Sequence, residues 1–94
     1  MIEFKIPKLR VRCLECKKEH FIDMKLINSD KVQHSISFEY EYTYGGELKC
    51  SCGDIMKLET IIFEYPKGIL NYHETGEESC LVMDELTDDS FNVL

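Results

Sequence analysis

The chain has 94 residues, 44% hydrophobic and 31% charged, enough for one domain whose core is marginal without a staple. No apolar run approaches the roughly 20 residues of a membrane-spanning helix, and Met1 to Arg12 has no apolar signal core, so a cytoplasmic protein without a membrane partner is expected. The net charge of −7 is uneven: residues 1–25 hold seven Lys/Arg against four Asp/Glu, residues 26–67 four against seven, and residues 68–94 none against seven, which argues against a strong grip on phosphate backbone by the chain as a whole.

In chain order, residues 1–13 read as strand, and within them Lys8 to Cys13 alternates polar and apolar residues, which puts Lys8, Arg10 and Arg12 on one face and Leu9, Val11 and Cys13 on the other. Cys13 to Lys18 reads as a tight turn, Phe21 to Ile27 as a short strand, and Asn28-Ser29-Asp30 as a turn cluster. Val32 to Tyr44 alternates without interruption and predicts one long, half-buried strand, with His34, Phe38, Tyr40, Tyr42 and Tyr44 on its apolar face. Gly45-Gly46 is expected to end it in a turn or bulge. Ile55 to Tyr65 predicts a second long strand whose alternation slips at Ile61-Ile62-Phe63, as a bulge or two-sided burial would cause. Tyr65 to Gly68 reads as a turn and Ile69 to Tyr72 as a short strand. The expected organisation is a β domain over residues 1–73 and an acidic segment, 74–94, partly packed through Cys80 to Met83 and frayed at its end. The fold class expected is mainly β, antiparallel, with little helix.

Five cysteines are many for a chain of this size. Four of them form two close pairs, Cys13/Cys16 and Cys50/Cys52, separated by 33 residues. In a reducing compartment such pairs usually hold metal, and an odd count does not close a disulfide framework. Two sulfurs on each of two tight turns can complete a tetrahedron about one zinc ion. Gly53 suits a turn whose N–H groups face the sulfurs. The plainer reading is four reduced, buried thiols, which the pairing disfavours. A redox role for Cys13/Cys16 would need a helix that the pattern lacks. A catalytic ion would need an open fourth position. Cys80, beside Leu81, Val82 and Met83, reads as a buried thiol, with Cys80 and His20 the substitutes if a ligand fails.

Cys13-Leu14-Glu15-Cys16 and Cys50-Ser51-Cys52-Gly53 resemble the two knuckles of the zinc-ribbon family, and with the strands between and after them the resemblance covers about two-thirds of the chain. The chain is also similar to small acidic ribbons of bacterial and mobile-element proteins. The resemblance implies antiparallel β structure around one structural zinc held by four cysteines, and no particular activity, since ribbons contact DNA, RNA and proteins alike. Two departures stand out. The second pair has one intervening residue where the family usually has two, and the spacing between pairs is long.

Two other groupings carry charge or stacking surface. Phe38, Tyr40, Tyr42 and Tyr44 make an aromatic row about 20 Å long, read first as the core face of a sheet and second as a stacking platform. Lys8, Arg10 and Arg12, with Lys17 and Lys18, could contact nucleic acid or an acidic partner; the plainer expectation is cross-strand pairing with acids such as Glu39, Glu41 or Glu59. No nucleophile–base pair and no glycine-rich phosphate loop is visible. The sequence therefore points to a non-enzymatic, zinc-stabilised binding module, first for a protein partner. The alternatives are a nucleic-acid-binding ribbon using the basic strand, and an acidic inhibitor or nucleic-acid mimic that occupies a basic protein surface.

Overall fold

A computed structural model describes all 94 residues. The chain forms nine strands: β1 (Ile2–Phe4), β2 (Lys8–Cys13), β3 (Glu19–Asp23), β4 (Lys25–Gln33), β5 (Phe38–Lys49), β6 (Ile55–Glu64), β7 (Leu70–Glu78), β8 (Cys80–Val82) and β9 (Phe91–Val93). The only helical piece is a single 3-10 turn at Asp88–Ser90. Every strand pairing is antiparallel. The strands make a four-stranded meander β4-β5-β6-β7, a three-stranded sheet β3-β2-β8 and a two-stranded ribbon β1-β9.

Alternation decides the core. In β2, Leu9, Val11 and Cys13 are buried while Lys8, Arg10 and Arg12 are exposed. In β6, Met56, Leu58, Thr60, Ile62 and Glu64 all face inward. Tyr42 and Tyr44 of β5 join the same face, against which Ile2, Phe4, Leu9, Val11, Ile22 and Phe91 are buried. Phe4 stands edge-on to Tyr44 at 5.3 Å between ring centroids, and the Tyr44 hydroxyl donates to the Ile2 carbonyl at 3.1 Å. Each such aliphatic side chain removed from water is worth about 1.5–3 kcal/mol. Residues 74–94 supply strand to all three sheets, through β7, β8 and β9.

Several expectations need correction. Residues 1–13 are not one strand: the chain bends after Phe4, and β1 and β2 pair in different sheets. Asn28-Ser29-Asp30 is not a turn but the middle of β4, an edge strand exposed along its whole length. The long strand does not start at Val32: the chain reverses over His34–Ser37, and Gln33 pairs with Phe38. That loop has four residues, an even number, so the hairpin inverts the phase of the alternation: Val32 pairs with Glu39 and lies on the face opposite Phe38 and Tyr40. His34 is consequently not a core residue. Its side chain is exposed, with Nε2 2.8 Å from Glu39 Oε2 and its ring edge-on to Tyr65. The aromatic row is core only at its inner end; Tyr40 is half-buried, and Phe38 lies 3.9 Å beneath the Lys31 ammonium.

Gly45-Gly46 does not end β5 either, which runs on to Lys49. A Cβ on Gly46 would collide with the Asp23 carbonyl and lie 2.6 Å from Ile22 Cγ2. Glycine here lets β3 cross closely over β5. The register shift lies between β6 and β7, where Phe63 pairs with Tyr72 and Glu64 with Leu70 so that Asn71 of β7 is the extra residue, and Ile61 and Phe63 are half-buried on the outer side of a regular strand.

Candidate metal centre

Each cysteine pair sits in the turn of a hairpin, the first between β2 and β3, the second between β5 and β6. The two turns share one hydrogen-bonding plan. In the first, the Cys13 N–H donates to the Lys18 carbonyl at 2.9 Å and the Lys17 N–H to the Cys13 carbonyl at 2.9 Å. In the second, the Cys50 N–H donates to the Asp54 carbonyl at 2.7 Å and the Gly53 N–H to the Cys50 carbonyl at 2.9 Å. Every span in the second turn is one residue shorter. Cys50-Ser51-Cys52 is thus the first knuckle with one residue removed, which accounts for the unusual spacing.

In both turns the residue after the second cysteine has positive φ, +67° at Lys17 and +102° at Gly53. This left-handed step swings backbone N–H groups toward sulfur. The Lys18 amide serves Cys16, the Cys52 amide serves Cys50, and the Asp54 amide serves Cys52. Lys17 Nζ caps its own turn by donating to the Leu14 carbonyl at 2.7 Å, and Lys18 Nζ reaches across to Ser51 Oγ at 3.2 Å.

The close approach of β3 to β5 at Gly46 brings the two turns together. Cys13 Sγ lies 3.7 Å from Cys52 Sγ, Cys16 Sγ lies 3.3 Å from Cys50 Sγ, and all four sulfurs fall within 4.8 Å of one another. A zinc–sulfur bond of about 2.3 Å sets the edge of a tetrahedron at about 3.8 Å, so the spacing fits one ion. None of the cysteines forms a disulfide. Cys13 and Cys50 are buried, Cys16 half-buried and Cys52 exposed, which leaves one side open to entry.

The electrostatics make the same point. The Cys52 amide lowers the Cys50 thiol to about 6 against the opposing effect of burial, helped by contacts with Cys16 and His20. The Asp54 amide lowers Cys52, yet burial and hydrogen bonding to Cys13, Cys50 and Cys16 together raise it to about 12. Four thiolates at this separation repel one another, and a divalent cation is the group that lets all of them ionise. The cluster is a four-cysteine site that can hold one metal ion such as zinc.

His20 lies beside this group, with Nε2 3.3 Å from Cys50 Sγ. Cys80 pairs with Cys13 across β2 and β8 but directs its sulfur to the Lys57 carbonyl at 3.7 Å, and burial raises its thiol. Lys8, Arg10 and Arg12 are exposed, as their alternation required. The acids near two of them come from other places than expected. Lys8 meets Asp23 at 3.7 Å, and Arg10 meets Asp84 at 4.0 Å while its backbone N–H donates to Asp84 at 2.8 Å. Glu39, Glu41 and Glu59 lie on the other sheet because β2 has β3 and β8 as its neighbours.

One buried polar centre escaped the sequence reading. Glu64 is 1% exposed and accepts from the Tyr42 hydroxyl at 2.9 Å and from the Gly68 N–H at 2.7 Å, with the Met1 nitrogen 3.4 Å away. Burial alone would raise its carboxyl, but the Gly68 amide, the Tyr42 hydroxyl and the Met1 ammonium hold it below the ordinary value. The signal was its inward parity in β6. Among known proteins, the chain matches no family model, no curated protein and no solved structure. The four-cysteine cluster on a β-rich frame is consistent with a zinc-ribbon-like site.

Proposed function

We propose that this protein is a non-enzymatic binding module, built around one structural zinc ion, that works through contacts with a protein partner. The observation that carries the reading is the sulfur cluster. Four cysteines supply all four positions of a tetrahedron, so a zinc held there has no site left for water or substrate. Its role is to join two hairpins of a small domain. The acidic surface and the pairing of Lys8 and Arg10 with Asp23 and Asp84 favour a protein over a phosphate backbone. Lys17 and Lys18 are engaged by the knuckles themselves.

The first test is elemental analysis of protein purified without added metal, expected to give one zinc per chain. A folded sample with no metal would remove the structural role. The second is titration of labelled DNA and RNA at about 150 mM salt, where the Debye length is about 8 Å. Weak binding without sequence preference is expected. Submicromolar affinity would place the nucleic-acid ribbon above the protein-binding module.

A further inference from the structure

The four-stranded sheet has two faces, and only the inner one is covered. The outer face is built from cross-strand rows. One row runs Asp30, Glu41, Phe63 and Tyr72 across β4 to β7; the next runs Asn28, Thr43, Ile61 and Glu74; the next runs Lys25, Gly45, Glu59 and Gly76. Beyond them Lys57 sits between Glu47 and Glu78. Three features of this face stand out.

The first is the Phe63–Tyr72 stack, with ring centroids 4.2 Å apart and planes inclined by 15°, although Tyr72 is 44% exposed. The second is the ring of carboxylates around it. Burial raises the Tyr72 hydroxyl, and Glu74, Glu39 and Glu41 raise it further. The third is a trough of about 570 Å³ across the glycine row, lined by Ile27 and by Glu47, Glu59, Glu77 and Glu78, with Lys57 the single cation among them. Gly76 is the informative residue. It lies within β7, its φ is not positive, and a Cβ added there would meet nothing within 4 Å. Glycine weakens a strand interior, and where the fold does not need it, it commonly marks the approach of another chain.

We propose that the outer face of β4–β7 docks a basic segment of a protein partner, with one arginine or lysine in the Gly45–Gly76 trough against Glu59 and another over the Phe63–Tyr72 stack. The inference rests on the binding-module reading and gives that module its surface. Charge complementarity selects the occupant: carboxylates surround an aromatic pair, and a guanidinium or ammonium with an aliphatic stem satisfies both. The size agrees. Four strands at about 4.8 Å spacing and about 33 Å in length offer roughly 600 Å², less than the roughly 800 Å² each partner gives to a standard interface. That suits a segment or loop better than a whole domain. A second copy of the chain would bring like charge to the same face and is disfavoured.

The test uses the full zinc-loaded chain and a fluorescent ten-residue peptide of alternating arginine and glycine, followed by anisotropy at about 50 and about 150 mM salt. Gly76→Val, which fills the trough, is expected to weaken binding about tenfold while thermal stability holds or rises. The pair Glu59→Gln and Glu74→Gln should weaken it at least as much. Glu85→Gln with Asp89→Asn removes the same charge outside the sheet and should change affinity less than about twofold. Equal losses from the two charge pairs would reduce the effect to diffuse attraction and overturn the proposal. So would unchanged affinity in Gly76→Val, or no binding by the parent chain at about 100 μM peptide. Zinc content measured on the same samples tests the module separately, because a parent chain that retains the ion but does not bind the peptide overturns this docking surface alone.

Discussion

β6 connects two buried polar centres that solve the same problem in opposite ways. At its start, the Cys50–Asp54 turn gathers four sulfurs and supplies amide donors, but no cation from the chain itself. At its end, Glu64 is buried with a hydroxyl and an amide donating to it and an ammonium nearby. The carboxylate centre is complete as the chain folds. The sulfur centre can be completed by a metal ion from solution. The two ends of one strand should therefore differ in what disrupts them: chelation acts at the sulfur end alone, whereas acid, which protonates thiolates as well as the carboxylate, acts at both.

The largest expected effect breaks the sulfur end. Cys50→Ser should abolish zinc retention and the cooperative thermal transition, because metal binding of order 10 kcal/mol is coupled to folding. Cys80→Ser should cost only on the order of 1–2 kcal/mol and keep the ion. Equal losses of zinc and melting temperature in the two variants would show the ligand set to be wrong.

Next comes the carboxylate end. Glu64 is held below its ordinary value, so it stabilises the fold fully above about pH 4.5, and that contribution is lost as the pH falls through its folded value. Glu64→Gln should lower stability at neutral pH by about 2 kcal/mol, the range for hydrogen bonds to a charged group. The gap between the parent and the variant, compared at equal zinc content, should close as the pH falls below 4.5. A gap that is constant from about pH 7 to about pH 3 would mean that the charge contributes nothing.

The smallest effects compare the two knuckles. Gly53 has open space around it, so Gly53→Ala tests backbone conformation alone and should cost about 1–2 kcal/mol. Lys17 takes positive φ with a side chain present, so Lys17→Gly should relieve strain and change stability by less than about 1 kcal/mol. Thermal melts of both zinc-loaded variants distinguish the turns; a larger loss from Lys17→Gly would mean that its Nζ contact with Leu14 outweighs the backbone term.

Much of this was legible in the residues. The alternation of β2 and β6 placed the core, and the paired cysteines named the four side chains that meet. The failures share a cause: period-2 patterning reports which face is buried, not where a strand stops. The residues of the His34–Ser37 loop continue the alternation of Val32 to Tyr44 and hid a hairpin, although the reversal puts Val32 on the face of Glu39 rather than that of Tyr40. β4, exposed on both sides, had no apolar face to advertise, so Asn28-Ser29-Asp30 looked like a turn. Gly45-Gly46 looked like a break because close crossing and chain reversal call for the same residue. Glu64 stayed hidden because its partners Tyr42 and Gly68 lie in other elements. The acidic outer face could have been found from Glu39, Glu41, Glu59 and Glu74, but only after the strand register was known.

The contact between Cys16 and Cys50 spans 34 residues of sequence, and this separation bears on how the molecule assembles. Each knuckle closes within its own hairpin, an event of microseconds that pairs neighbouring residues. Joining the two hairpins means closing a long loop, whose entropy must be lost before any distant contact returns it. An ion that grips one knuckle first and then captures the other turns that search into a tethered encounter. Zinc in this protein would then act as a clasp on the folding pathway as well as a brace in the finished fold, and the speed of assembly would follow the supply of metal.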